Sequence, residues 1–147
     1  MVAGRGPATL SLAGRRADAM FASAIDADAG LHQRTVIREA AANAGREDPP
    51  LLIPGLSVLL ADTRAEAAAI EQATYSPSAG RVRTGPRWSV VGTPEDAVAA
   101  IAARAEGDAL DGFIAFPVGS WRSIELLFDE VMPRLREIGL IGGLPSE

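Results

Sequence analysis

A glycine-bearing turn that runs into a helix start, Gly4-Arg5-Gly6-Pro7-Ala8-Thr9, is the segment of this sequence with the clearest means of holding a ligand. Backbone N–H groups at a helix N-terminus, together with the positive end of its dipole, suit a phosphate. Arg5 can add a charged contact and Thr9 a hydroxyl donor. The plainer reading is a turn with a solvated arginine. Elsewhere the chemistry is sparse. There is no cysteine, so disulfides and thiolate catalysis are excluded. His32, the single histidine, sits beside Gln33 and Arg34 on a predicted solvated helix face, and no partner that would make it a general base can be identified. Asp26, Asp28, Asp62 and Glu66 read as helix caps, so no metal site is expected, and no catalytic acid or base can be assigned. Asp111, at the start of a strand, reads as a loop anchor. Trp88 and Trp121 read as packing residues, with a pocket mouth as the alternative.

The elements that must position these residues alternate. Met1–Gly6 reads as the end of a strand, followed by a helix over Pro7–Arg16 with Leu10, Leu12 and Ala13 facing inward. Ala17–Ala24 is a strand candidate. Asp26 or Asp28 caps a helix over about Ala29–Ala44 that buries Leu31, Val36, Ile37 and Ala40 or Ala41, and Gly45 takes its left-handed exit. Leu51–Ala61 is an apolar strand that Pro54-Gly55 should interrupt. Thr63 and Glu66 form a capping box for a helix over Arg64–Ala73. Tyr75–Arg87 is an exposed loop. Trp88–Pro117 encodes a turn, a helix opened by Thr93, Pro94 and Asp96, a glycine-bearing loop and a short apolar strand from Asp111 to Phe116. A final helix over Ser123–Ile138 should kink at Pro133.

This order is α/β with parallel strands and right-handed crossovers. Gly4–Ala8 lacks the third glycine of a dinucleotide fingerprint, which argues against a Rossmann half. A full (β/α)8 barrel takes about 250 residues. The 147 residues here supply about four βα units, one partial domain that looks like the C-terminal half of a TIM barrel. In that frame Phe116-Pro117-Val118-Gly119 ends the eighth strand on the catalytic face, which makes Phe116 the substrate-side candidate. A net charge of −5 with scattered arginines argues against nucleic acid, and no apolar run approaches the roughly 20 residues of a membrane span. A cytoplasmic location is expected.

Four ordered segments resemble the bacterial luciferase-like flavin-dependent monooxygenases, in the branch of nitrilotriacetate, dibenzothiophene-sulfone and long-chain alkane monooxygenases. They are G-R-G-P-A-T-L-S-L-A-G-R-R-A-D-A-M-F-A (4–22), A-A-A-N-A-G-R with L-L-I-P-G-L-S-V-L-L-A-D-T-R-A-E-A (40–67), V-V-G-T-P-E-D-A-V…D-G-F (90–113) and F-D-E-V-M-P-R-L-R-E-I-G-L (128–140). The resemblance implies strands five to eight of a barrel, with the first four units absent and the family's insertion reduced to residues 75–87. It implies a cofactor phosphate at Arg5, Gly6 and Thr9, with Arg5 and Gly6 standing where the family has two serines. It also implies reduced FMN from a separate flavin reductase, oxygen as co-substrate and a small organic substrate. Gly6–Gly14 is similar too to the coenzyme F420-dependent branch, which leaves F420 as the alternative cofactor. A third reading is a non-catalytic half-barrel or truncated assembly module; with open edges it should form a homo-oligomer or pair with a complementary half, and alone the chain should be inactive.

Overall fold

The computed structural model describes residues 1–4, 6–22, 26–76 and 88–141. Elements follow in the order β1 (Val2–Ala3), α1 (Pro7–Arg16), β2 (Ala19–Ala22), α2 (Ala27–Asn43), β3 (Leu51–Leu60), α3 (Arg64–Thr74), β4 (Trp88–Gly92), α4 (Pro94–Glu106) and β5 (Ile114–Pro117). A last helical stretch joins α5 (Trp121–Leu126), a π segment (Leu127–Val131) and α6 (Met132–Glu137). The loop expected over 75–87 falls, from residue 77 onward, outside the described residues. Among the described residues no helix is long and apolar enough to cross a membrane.

Side-chain caps set several helix starts. Asp26 Oδ1 accepts from the Ala29 N–H at 2.7 Å, and Thr63 Oγ1 accepts from the Glu66 N–H at 3.1 Å. The Asp96 carboxylate accepts from the Thr93 N–H at 3.0 Å, the reach-back half of a capping box. α2 closes through Gly45 at φ +71°, where the Gly45 and Arg46 N–H groups return to the Ala42 and Ala41 carbonyls. That is the pattern of a left-handed helix exit.

The sheet has five strands in the order β1-β2-β3-β4, with β5 also on β3. β1 and β2 run parallel, Ala3 opposite Phe21. β2 and β3 do the same, from Ala19 opposite Leu51 to Ala22 opposite Pro54. Hydrogen bonds from Asp111 N–H to the Leu52 carbonyl and from Val118 N–H to the Val58 carbonyl, both 2.8 Å, carry β5 along β3 in the same direction.

Two strand expectations are corrected. Pro54-Gly55 does not interrupt β3. Leu51 N–H donates to the Asp18 carbonyl, whereas Leu52 N–H turns the other way, to the Asp111 carboxylate. Donors alternate between the two edges of a strand, so the Pro54 nitrogen, like that of Leu52, faces away from β2 and costs that ladder nothing. Trp88–Gly92, expected as a turn, is the strand β4. β3 continues to Leu60, past its last partner on β2, and the backbone there needs partners. β4 supplies one in the Ala61 N–H to Gly92 carbonyl bond at 3.0 Å.

The chain packs as two compact units. The first holds Met1–Leu56, Trp88 and Arg104–Ala115, with a core of Leu10, Ala13, Ala17, Met20, Ala22, Ile37 and Leu52. Leu12 and Leu31 were expected inside and are 47% and 39% exposed. On α1 the buried stripe is Leu10, Ala13 and Gly14, and on α2 it is Gly30, Gln33, Arg34, Ile37 and Ala41, so Gln33 and Arg34 lie inside and not on the solvated face expected beside His32. Both follow three- and four-residue spacing, which turns Leu12 and Leu31 off the stripe. Arg46 caps the end of α1, donating to the Gly14 and Ala17 carbonyls at 2.9 and 2.6 Å.

The second unit holds the remaining described residues, with Leu59, Ala61 and Ala67 packed beside Ile70, Val91 and Val118. Its final helix is broken by a wider turn. Met132 N–H reaches back five residues to the Leu127 carbonyl. Pro133 brings no N–H and its ring would crowd the preceding turn, so the π segment just before it absorbs the misfit.

Candidate functional site

The first candidate lies at the start of α1. Gly4 sits at φ +145°, and a Cβ there would come within 2.8 Å of Thr9 Cγ2. The Thr9 side chain therefore packs over Gly4, where only glycine fits. Gly6 is the N-cap residue, extended at φ −69° and ψ 150°, with no side-chain cap, and Pro7 opens the helix. The first turn carries no acidic side chain. Among the described residues other than its chain neighbours, nothing lies within 4 Å of the place a Gly6 Cβ would occupy. Gly6 and Thr9 thus share one short turn, and Arg5 lies outside the described residues.

The second candidate is a cavity of about 550 Å³ in the second unit, at the C-terminal end of β5. Pro117, Val118, Trp121 and Ile124 give it apolar walls, and Thr74, Tyr75 and Ser120 bring hydroxyls. Phe116, the substrate-side candidate, ends up 45% exposed next to this lining, while Pro117, Val118 and Gly119 of the same tetrapeptide belong to it. The segment is pinned on both sides. Val118 N–H bonds to β3, and the fully buried Ser123 hydroxyl accepts from the Leu60 N–H at 2.9 Å and lies 3.4 Å from the Val58 carbonyl. Gly119 makes the bend at φ +91°, where a Cβ would press on Ile70 and Leu59 at 3.1 and 3.2 Å. Tyr75 and Ile124 carried no sequence signal for this site, because only packing brings α3 and α5 to the end of β5.

Arginine–carboxylate pairs frame the second unit. Arg122 donates to Asp62 at 2.7 Å and contacts Glu125 at 3.5 Å. Arg64 forks onto Asp96 at 2.6 and 2.9 Å, and Arg134 joins Glu95 and Glu130. Asp96 is held well below the usual carboxylate range, first by the Arg64 guanidinium and then by the Thr93 N–H. Arg122 lowers Asp62, and Arg134 lowers Glu95. A carboxyl lowered by folding stabilises the protein above its unfolded value of about 4 and loses that contribution as pH falls through the folded value. Thermal melts should therefore hold steady near neutral pH and drop below about pH 4, with Asp96→Asn giving a flatter acid limb. A D96N acid limb as steep as that of the parent would refute the assignment.

The remaining sequence candidates have structural surroundings. His32 is exposed on α2. Trp88 is buried against Phe113, ring centroids 6.4 Å apart and edge-on, with the Arg104 guanidinium 4.2 Å from its ring centre. Asp111 anchors its loop through Arg34 at 3.0 Å and the Leu52 N–H at 2.6 Å. Among the described residues no group of three or more His, Asp or Glu side chains is placed to hold a metal.

The family model described as luciferase-like monooxygenase matches residues 1–125. The chain belongs to the luciferase-like monooxygenase family. Its fold agrees with solved structures. The EDTA monooxygenase from Chelativorans sp. BNC1 superposes with a TM-score of 0.85 at 18% identity, over 100% of this chain and 46% of that one. A riboflavin lyase solved with modified FMN and riboflavin gives 0.77 at 25% identity, over 99% and 44%. The F420-dependent tetrahydromethanopterin reductase from Methanopyrus kandleri gives 0.59 at 17%, over 90% and 49%. The luciferase-like chain thus spans less than half the length of these relatives, as a parallel part of their TIM-type barrel. No curated protein matches it.

Proposed function

We propose that this chain forms part of an FMN-dependent monooxygenase that acts on a small organic substrate and draws its reduced flavin from a separate reductase. Family membership over residues 1–125 carries the reading. The Gly4–Thr9 turn fits the phosphate end of such a cofactor: an uncapped N-terminus, open space at Gly6, and no carboxylate in the first turn to repel an anion. Gly6 and the N–H groups that follow would hold the phosphate, with Thr9 shaping the turn beside them. When bound, the flavin supplies the redox chemistry, and this chain's residues anchor and orient it. FMN should bind more tightly than riboflavin, which lacks the phosphate, and Gly4→Ala should remove that advantage. Equal affinity for the two, read by quenching of flavin fluorescence, sinks the assignment of the turn. The F420-dependent reductase among the structural relatives supports a second reading, F420-dependent hydride transfer. Preferential binding of F420 would favour it.

The same reading gives the chain a structural partner. On β2 and β3, Met20 and Leu52 are fully buried on one sheet face. On the other face the register aligns Ala3, Phe21 and Ile53, with Ala3 exposed and the other two half-buried. The edge strand β1, with Ala3 exposed on it, calls for further βα units or a second copy. Sedimentation of the chain alone should give a dimer or a larger species, and a stable monomer would remove this partner from the proposal.

A further inference from the structure

Among the described residues, the lining of the cavity at the end of β5 has no charged side chain. The guanidinium next to it in sequence, on Arg122, is committed to Asp62 and Glu125. A carboxylate placed there would gain no counter-charge from these side chains, and its contact with the ring surface would displace water from it. What the walls offer is aromatic and aliphatic surface interleaved with hydroxyl and backbone polar groups. Trp121 is 72% exposed yet lines the cavity, and Tyr75, Val118 and Ile124 complete the apolar surround. Ser120 and Thr74 can exchange a hydrogen bond with one polar substituent. A volume of about 550 Å³ is in the range of small-molecule sites. The backbone of the lining is also preorganised, by the Val118 bond to β3 and by the buried Ser123 hydroxyl.

We infer that this cavity binds an uncharged aromatic ring compound with a single hydrogen-bonding substituent, and that Trp121 is its principal contact. The inference rests on the monooxygenase reading in one respect only, that the bound compound is the substrate. Stacking on an indole face rewards a flat ring over a flexible chain, and the uncharged lining discriminates against anions of the same size.

Calorimetric titration of the full chain tests this with 2-naphthol and, as a charged counterpart, naphthalene-2,6-dicarboxylate. The expected result is saturable one-site binding of 2-naphthol, with the dicarboxylate at least about ten-fold weaker and Trp121→Ala weakening 2-naphthol by about ten-fold. Trp121 is largely exposed, so the truncation leaves folding intact, and Ile124→Asp gives an independent block of the same wall. No saturable binding, equal or tighter binding of the dicarboxylate, or binding that survives both variants overturns the inference. Flavin titration has a separate signal. Naphthol binding without FMN binding would keep the cavity and remove the monooxygenase reading, and the reverse would do the opposite.

Discussion

Asp111→Ala should destabilise the chain by about 3–5 kcal/mol, seen as a large drop in the urea midpoint. The Asp111 carboxylate does two jobs at once. It pairs with Arg34, whose side chain is 5% exposed, and it accepts the Leu52 N–H at 2.6 Å. Removing it strands a buried cation and a strand donor together. Arg34 has little reserve, because its Nε and Nη2 already lack partners among the described residues and Asp108 is 3.7 Å away. Arg38→Ala, which breaks a largely exposed pair with Asp108, should by contrast cost at most about 1 kcal/mol. Equal effects from the two substitutions would mean that Asp111 is not the anchor its geometry makes it.

The second large effect is expected at Gly14. Glycine inside a helix normally gains up to about 1 kcal/mol on replacement by alanine. Here α1 meets α2 so closely that a Cβ would lie 2.5 Å from the Ala40 Cβ and 2.6 Å from the Ile37 carbonyl oxygen. One of those neighbours is backbone, so relief requires α1 to move. Overpacking should win, with Gly14→Ala losing about 3 kcal/mol. Gly112→Ala, with nothing within 4 Å of its added methyl, is the control and should lie close to the parent in thermal midpoint. A stabilised G14A protein would contradict the close approach.

The parts of this molecule that local chemistry governs were legible beforehand. Asp26 and Thr63 cap the helices they precede, Asp96 reaches back from the first turn of α4 to the Thr93 N–H, Gly45 takes the left-handed exit, and Asp111 anchors its loop. Each depends on groups a few residues apart or on a backbone angle that few residues adopt. Errors arose where a partner distant in sequence decides the outcome. Whether Pro54 breaks β3 depends on which edge its nitrogen faces, a matter of pairing that no local rule contains. Trp88–Gly92 has the strand's alternation of burial, but it is short and becomes a strand because β3 runs past β2 and needs another partner.

The candidate sites divide in the same way. Gly4–Thr9 could be read from the chain because a turn and a helix start are contiguous, and Pro117–Gly119 because they end a strand. Sequence by itself determined the α/β alternation apart from β4, the approximate helix limits and the family resemblance, since these follow from periodicity, caps and ordered motifs. Tertiary structure alone decided that Tyr75, Trp121 and Ile124 share one cavity, that Trp88 is buried while Trp121 is not, and that Leu12 and Leu31 face out. Those outcomes depend on which surfaces meet, and burial is a property of the packed pair of elements rather than of either one.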